Sequence, residues 1–159
     1  PVLSEQSGNH LMRQIVFLVK NRRYTSAQQL NTLRIRYPDS EGKLLRNGFE
    51  WEITITPTAL SDTYRIKIVY QDGMLPQVYV ITPKPLQMPK SAKRLPHTYD
   101  TKRQRICVCL PSDWSQSKLI ADTIVHWSIQ WLIYYEHWAY TGIWEGGGHG
   151  NWDVIPVSA

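Results

Sequence analysis

Two cysteines and one histidine are the side chains of this sequence best suited to nucleophilic chemistry. Cys107 and Cys109 lie in the run Ile-Cys-Val-Cys-Leu-Pro, and His97 precedes Cys107 by ten residues. Three bases stand just before the cysteines: Lys102, Arg103 and Arg105. A cysteine attacks as the thiolate, and nearby positive charge stabilises that anion. Cys107 is therefore the candidate nucleophile, and His97 is either a general base or orienting group for it or an ordinary loop histidine held by hydrogen bonds.

These residues alone leave other interpretations open. Free cysteines are most often small buried apolar side chains, and the pair fits a β-like run equally well. A metal site at Cys107 and Cys109 needs two further soft or imidazole ligands, and only His97 is near them in sequence. The other candidate histidines have no chelating partner at a suitable spacing, and structural roles are expected for them: His126, His137 and His149. We therefore predict no metal and no cofactor.

Length and composition predict one cytoplasmic domain. The 159 residues, of which 42% are apolar and 19% charged, suit a single domain over residues 1–159 and exclude a disordered or fibrous chain. No stretch approaches the ~18 apolar residues that a membrane span needs. Cys107 and Cys109 are too close for an ordinary loop-closing disulfide, which indicates a reducing compartment. The glycine-rich residues 146–159 are expected to form a flexible tail.

Charge and tryptophan are distributed unevenly along the chain. All 18 lysines and arginines lie at or before Lys118, so the first 118 residues sum to +9 and the rest to −4. Six of the seven tryptophans follow Asp113. The basic part should attract acidic partners, and the Trp-rich part is expected to have a different function. The basic stretches Arg34–Tyr37 and Lys84–Arg94 match no nucleic-acid recognition signature, so nucleic acid is not the expected partner.

Hydrophobic periodicity predicts the elements that lead to Cys107. A short helix is expected over Leu11–Val19. Period-two alternation then predicts a four-stranded antiparallel meander with strands at Leu33–Tyr37, Phe49–Thr56, Tyr64–Tyr70 and Val78–Ile81. Residues 83–96 hold four prolines and four bases, which predicts an irregular loop that delivers the chain to His97 and Cys107.

A long Trp-rich helix is expected after Asp113 and Ser115, whose side chains can cap it. Apolar residues recur there at helical spacing: Ile120, Ile124, Trp127, Trp131, Tyr135 and Trp138. Gly142 is the expected C-cap. Glu136 and the surrounding aromatic residues are assigned to structure because large rings on a central helix usually form a core or an interface. The predicted fold class is α/β.

The order of these elements resembles that of a ubiquitin-conjugating enzyme. In that family a helix is followed by a four-stranded antiparallel meander, a loop with the active cysteine, and further helices. The interval from His97 to Cys107 is similar to the family's histidine-to-cysteine interval. Ile106-Cys107-Val108, followed by Trp114-Ser115, and the strand-like Pro76–Thr82 also resemble family segments.

The resemblance is closer to the bacterial branch of this family in anti-phage operons of the cyclic-oligonucleotide signalling type (CBASS). It covers roughly Phe49–Gly150 and selects Cys107 over Cys109, because Cys107 keeps the expected offset to Pro111. The matching segments are His97-Thr98-Tyr99, Cys107 with Pro111 and Trp114, Ile120–Ile124 with Trp127, Trp131–Trp138, and Thr141–Gly147.

The resemblance implies a transferase that forms a thioester on Cys107, assisted by His97. Its implied partners are the C-terminal tail of the operon's cyclic-oligonucleotide synthase, an activating enzyme, and a lysine on a target protein. The bases before Cys107 are Lys102, Arg103 and Arg105. They would lower the pKa of the Cys107 thiol or steer the incoming tail. The alternative is a catalytically inactive docking module with the same fold.

One position departs from the eukaryotic pattern. Where those enzymes place an asparagine that supports the oxyanion of the tetrahedral intermediate, this chain has Thr98 and Tyr99 after His97. The resemblance therefore leaves the oxyanion donor open among a backbone N–H, the Thr98–Tyr99 pair and His97, and such a donor is commonly worth about 3 kcal/mol.

Overall fold

The computed structural model describes residues 3–20 and 22–147, with the side chains of residues 8–18 in the first helix. The helices are α1 (Leu3–Lys20), α2 (Ser26–Arg36) and α3 (Ile124–Thr141). The strands are β1 (Glu41–Leu45), β2 (Gly48–Ile55), β3 (Tyr64–Gln71), β4 (Gln77–Thr82), β5 (Thr98–Asp100) and β6 (Arg105–Ile106). They form one antiparallel sheet in the order β1-β2-β3-β4-β6-β5. The α/β class and an antiparallel meander are confirmed, with three of the four predicted strands found as β2, β3 and β4, and β5 and β6 extend the sheet.

The predicted strand over Leu33–Tyr37 is wrong, because these residues form the end of α2 and its C-cap. Thr25 begins the helix through a capping box with Gln28, which satisfies a backbone N–H at each of the two residues. Leu30 and Leu33 are buried at helical spacing, whereas Ile35 is 71% exposed. The first strand of the meander is instead β1, and a two-residue turn at Arg46-Asn47 joins it to β2.

The predicted N-terminal helix is confirmed, and it extends beyond Leu11–Val19 at both ends to form α1. Its apolar side chains are between 45% and 67% exposed: Leu11, Met12, Ile15, Val16, Phe17 and Leu18. These residues therefore contribute little to the core. Within residues 3–20 and 22–147, no helix has the length and apolarity that crossing a membrane requires.

One face of the sheet is buried against α3, as the alternation in the strands predicts. In β3 the even-numbered residues face the core and the odd-numbered face carries Arg65 and Lys67, which form ion pairs with Glu52 and Glu50 of β2. The ring of Tyr64 meets that of Tyr135 in α3 edge-on, with 6.1 Å between centroids. This packing fixes α3 across the sheet.

Glu136 in α3 has the structural role that the sequence predicts. Its carboxylate accepts hydrogen bonds from the Tyr64 hydroxyl at 2.8 Å, the Ser61 hydroxyl at 2.6 Å and the Asp62 N–H at 3.0 Å. Burial raises the pKa of Tyr64 well above its usual value, and the hydrogen bond from its hydroxyl to Glu136 and the charge of Glu136 raise it further. The phenol is therefore a permanent donor at neutral pH.

The start of α3 differs from the expectation. Two short 3₁₀ turns, Pro111–Asp113 and Ile120–Asp122, precede a helix that begins only at Ile124. The Asp113 carboxylate accepts the Leu110 N–H at 2.8 Å and so caps the first 3₁₀ turn instead of α3. The predicted C-cap is confirmed, since Gly142 has a φ of +79° and donates its N–H to the Trp138 carbonyl at 2.7 Å.

The irregular loop over residues 83–96 is confirmed, and one buried side chain ties it to the sheet. Gln104 accepts the Leu86 N–H at 2.6 Å and donates to the carbonyls of Val80 at 2.9 Å and Pro83 at 3.0 Å. Leu86 and Leu95 are buried in the core. The loop is therefore anchored at both ends before it reaches β5.

Replacing Gln104 with alanine should destabilise the protein by about 2 kcal/mol, because buried backbone groups of the loop lose their partners. Urea unfolding followed by circular dichroism measures the change. Gln87→Ala is the matched control, since Gln87 is exposed and only its backbone carbonyl is used, as acceptor for Tyr135. Equal unfolding midpoints for the two variants would contradict the anchoring role of Gln104.

Candidate active site

Cys107 directly follows β6, the short strand between β4 and β5. Ile106 pairs with Val78 of β4 and Thr98 of β5, and its side chain is 2% exposed in the core. The Cys107 N–H donates to the His97 carbonyl at 2.8 Å. The structure thus brings together the two residues that are ten apart in sequence, and it leaves the Cys107 side chain only partly buried.

The two cysteines have different environments. The Cys107 thiol contacts the Cys109 carbonyl, with 3.6 Å between sulfur and oxygen. Burial, followed by the charges of Asp113 and Cys107, raises the pKa of Cys109 to about 11, although Lys118 lowers it. Cys109 is therefore a neutral thiol at physiological pH and a poor nucleophile.

Iodoacetamide should label Cys107 well before Cys109 in the native protein at pH 8. With a pKa of about 11, roughly one Cys109 in a thousand is a thiolate at that pH, and this fraction rises tenfold for each pH unit up to the pKa. Fragment-ion mass spectrometry distinguishes the two sites, which lie on one tryptic peptide. Urea-unfolded protein is the control, in which both sites should react alike. Equal native labelling at pH 8 would contradict the assignment.

Tyr99 lies beside the candidate nucleophile. It sits in β5 and is 50% exposed, and its hydroxyl lies close enough to the Cys107 side chain to interact with it. Partial burial, then hydrogen bonding to Cys107 and the charges of the two cysteines, raise the pKa of Tyr99 to about 12, although Arg105 lowers it. The Arg105 guanidinium covers the ring at 4.6 Å from its centroid. Tyr99 is thus a protonated donor within reach of the sulfur.

Thr98 faces a different environment from Tyr99. Its hydroxyl donates to the Leu95 carbonyl at 3.0 Å and lies 3.4 Å from the Thr101 hydroxyl. Thr98 pairs with Ile106 and Asp100 pairs with Arg105, so the pairing of β5 with β6 is irregular at Tyr99 and the simple alternation of a strand does not apply there. Of the two candidate oxyanion donors, the structure places Tyr99 beside the sulfur and leaves Thr98 in the local turn.

His97 contacts the site through its backbone. Its carbonyl accepts both the Cys107 N–H and the indole N–H of Trp131, the latter at 3.1 Å. Its φ is +45°, a left-handed conformation uncommon for a residue other than glycine. Its ring stacks on that of Trp144, with centroids 4.9 Å apart and planes at 26°.

Comparison with known families adds to this geometry. The family model described as type II CBASS E2 protein matches residues 29–151. The chain belongs to this family. No curated protein matches the chain. The resemblance to the bacterial CBASS branch of the ubiquitin-conjugating enzymes is thereby confirmed, and the matched range contains the sheet, Cys107 and α3 but not α1.

Membership fixes the general class of this CBASS E2 protein. It is an E2-type, that is ubiquitin-conjugating-type, protein of a bacterial CBASS system, and it works with other CBASS proteins. Residues 3–20 and 22–147 contain no group of three or more His, Cys, Asp or Glu side chains placed to hold a metal ion. The candidate metal residue His149 and most of the predicted flexible tail, residues 148–159, lie outside the described residues.

The three bases of the CBASS E2 protein lie at different places around Cys107. Arg105 is nearest, since it stacks on Tyr99 and its Nε is buried without a hydrogen-bond partner among the described residues. Arg103 lies over the ring of Tyr79, 5.4 Å from its centroid, and Lys102 is exposed in the turn between β5 and β6. Only Arg105 therefore contacts a residue that itself bonds the cysteine.

Sequence reasoning assigned the tryptophans to structure and so missed two contacts of the site. Trp131 donates to the His97 carbonyl, and Trp144 stacks on the His97 ring. The available signal was the similarity of Thr141–Gly147 to a family segment, which marked this stretch without assigning it a role. The other candidate histidines are remote: His126 is exposed, and His137 faces Glu145 at 3.5 Å.

Proposed function

We propose that Cys107 carries the C-terminal acyl group of a partner CBASS protein as a thioester and transfers it to an amine. The observation that carries this proposal is a partly open thiol at the end of β6, close to Tyr99 and held through its backbone by the His97 carbonyl. Membership of the E2 family supplies the class of chemistry. The partner best suited is the operon's cyclic-oligonucleotide synthase, with its tail in place of ubiquitin.

The chemistry proceeds in two acyl transfers. The Cys107 thiolate attacks the carbonyl of a tail that an activating enzyme has already joined to a leaving group. The carbon–sulfur bond forms, and the leaving group departs with its electron pair. An amine, such as a target lysine, then attacks the thioester carbonyl. The carbon–nitrogen bond forms, the thiolate leaves, and the amine's proton passes to solvent.

Negative charge develops on the carbonyl oxygen in both steps. The Tyr99 hydroxyl is protonated and interacts with the Cys107 side chain, so it lies near an oxygen one bond from the carbon that the sulfur attacks. In this proposal Tyr99 is the oxyanion donor that replaces the asparagine of eukaryotic relatives. Arg105, stacked on Tyr99, attracts the carboxyl-terminal tail by its charge, and Lys102 and Arg103 extend that positive field.

Co-expression with the neighbouring CBASS proteins tests the proposal. We expect the intact mass of the protein to increase by that of the partner chain less one water, and the adduct to disappear on treatment with thiol reductant. A gel without reductant should show the same species. Absence of any reducible adduct, when the activating partner and ATP are present, would contradict the thioester function.

Docking without catalysis is the second candidate function, and an open cleft of about 570 Å³ favours it. The cleft combines two bases with apolar side chains, and it lies beside the loop that follows Cys107. The residues that line it include Arg22, Arg23, Met74, Leu75, Pro111 and Trp114. Its charge suits an acidic segment of a partner CBASS protein. A salt-sensitive complex that forms without a reducible adduct would favour this function over catalysis.

A further inference from the structure

The chain turns back on itself immediately after α3. Gly142 adopts the left-handed conformation that ends the helix, and the Ile143 N–H donates to the Thr141 hydroxyl at 3.1 Å. These two features reverse the chain direction, so residues 142–147, which we name the strap, return along α3 instead of continuing away from it.

Trp144 is the anchor of the strap. Its ring stacks on His97 and also contacts Trp131 and Tyr134, with centroids 5.7 Å and 5.9 Å away. Gly146 allows the close approach, because a Cβ there would lie 2.7 Å from the Tyr134 ring and 2.8 Å from the Trp144 indole nitrogen. The composition of the strap therefore fits a segment that packs tightly over this cluster.

The strap acts on the same residue that holds the nucleophile. The carbonyl of His97 accepts the Cys107 N–H and the Trp131 indole N–H, while the ring of His97 is covered by Trp144. A left-handed backbone at a histidine persists only when its surroundings impose it. Trp131 restrains the carbonyl of this residue, and Trp144 restrains its ring.

We propose that the strap positions Cys107 through His97, with Trp144 as the positioning residue. Trp144 does not touch the sulfur in this proposal. It keeps His97 in the conformation that presents its carbonyl to the Cys107 N–H, and it thereby fixes where the thiol meets an incoming carbonyl. The effect on transfer rests on the proposed thioester function, whereas the effect on backbone geometry does not.

Trp144→Ala tests the proposal, with Trp144→Phe as the conservative variant. Ile143→Ala is the matched control, since Ile143 lies in the strap but is 61% exposed. In Trp144→Ala we expect the His97 ring protons to lose their ring-current shift in NMR spectra. We also expect amide exchange of Cys107 to accelerate at least tenfold, while that of Ile66 in β3 stays unchanged.

Single-turnover thioester formation should slow about tenfold to a hundredfold in Trp144→Ala, because small misplacements of a reacting group have effects of this size. Trp144→Phe should recover most of the rate, and Ile143→Ala should match wild type.

Unchanged His97 resonances or unchanged Cys107 exchange in Trp144→Ala would overturn the proposal. A wild-type thioester rate in that variant would overturn it as well, even if the resonances move. If the wild-type protein forms no thioester, the proposed function fails, and the NMR and exchange results still decide whether the strap positions Cys107. Global unfolding of Trp144→Ala would also raise amide exchange at Ile66. In that case the test uses Trp144→Phe, and its His97 resonances and Cys107 amide exchange are compared with those of Ile143→Ala.

Discussion

We expect Cys107→Ala to abolish the reducible adduct with the partner chain and Cys109→Ala to leave it intact. The thioester requires a sulfur at Cys107, whereas Cys109 is held as a neutral thiol by a pKa of about 11. We expect the adduct to fall below detection in the first variant, measured by intact mass and by gels without reductant. Cys107→Ser should instead trap an oxyester that resists thiol reductant.

Two further results would be decisive for the choice of nucleophile. An adduct that survives in Cys107→Ala but disappears in Cys109→Ala would transfer the role to Cys109. An adduct that survives in both single variants would contradict the assignment of Cys107 as the required nucleophile. The folding control is the melting temperature, which should change little because Cys107 is partly exposed and its backbone N–H is retained.

Tyr99→Phe should slow thioester formation by about 10² to 10³, the range expected when an oxyanion donor is removed. The substitution keeps the ring under Arg105 and removes only the hydroxyl that bonds Cys107. Single-turnover kinetics with the activated partner measure the rate. The loss should appear in the rate at saturating partner, with little change in the partner concentration that gives half the maximal rate.

Tyr140→Phe is the matched control for this change, because Tyr140 is 93% exposed at the end of α3. It should react at the wild-type rate. If Tyr99→Phe also does so, Tyr99 is not the donor, and a backbone N–H of the loop becomes the leading candidate. Thr98→Val then tests the remaining side chain, whose hydroxyl bonds the Leu95 carbonyl in the present structure.

Helix α1 lies outside the part of the chain that matches the E2 family. The family match begins at residue 29, within α2, so Leu3–Lys20 precedes it. The capping box at Thr25 begins α2 independently of α1. The packing that positions Cys107 comes from the sheet, the loop over residues 83–96 and α3, all of which lie inside the matched range.

The sequence by itself determined the central strands, the irregular loop and the end of α3. Phe49–Thr56 and Tyr64–Tyr70 alternate cleanly because one face of each strand meets the core and the other meets water. Gly142 ends α3 because it takes the left-handed conformation at no steric cost. The interval from His97 to Cys107 predicted that the two residues belong to one site, and in the structure a direct backbone hydrogen bond joins them.

Only the tertiary structure decided where short ambiguous patterns and long-range contacts belong. Leu33–Tyr37 alternates like a strand, yet burial of Leu33 against the core and the capping box at Thr25 make it helical. The choice of Tyr99 over Thr98 depends on the contacts that each side chain makes around an irregularity in the pairing of β5 with β6: Tyr99 interacts with Cys107, whereas the Thr98 hydroxyl bonds the Leu95 carbonyl. The stacking of Trp144 on His97 joins residues 47 apart. No local periodicity encodes such a contact, because it arises only when the chain reverses after α3 and both rings leave water together.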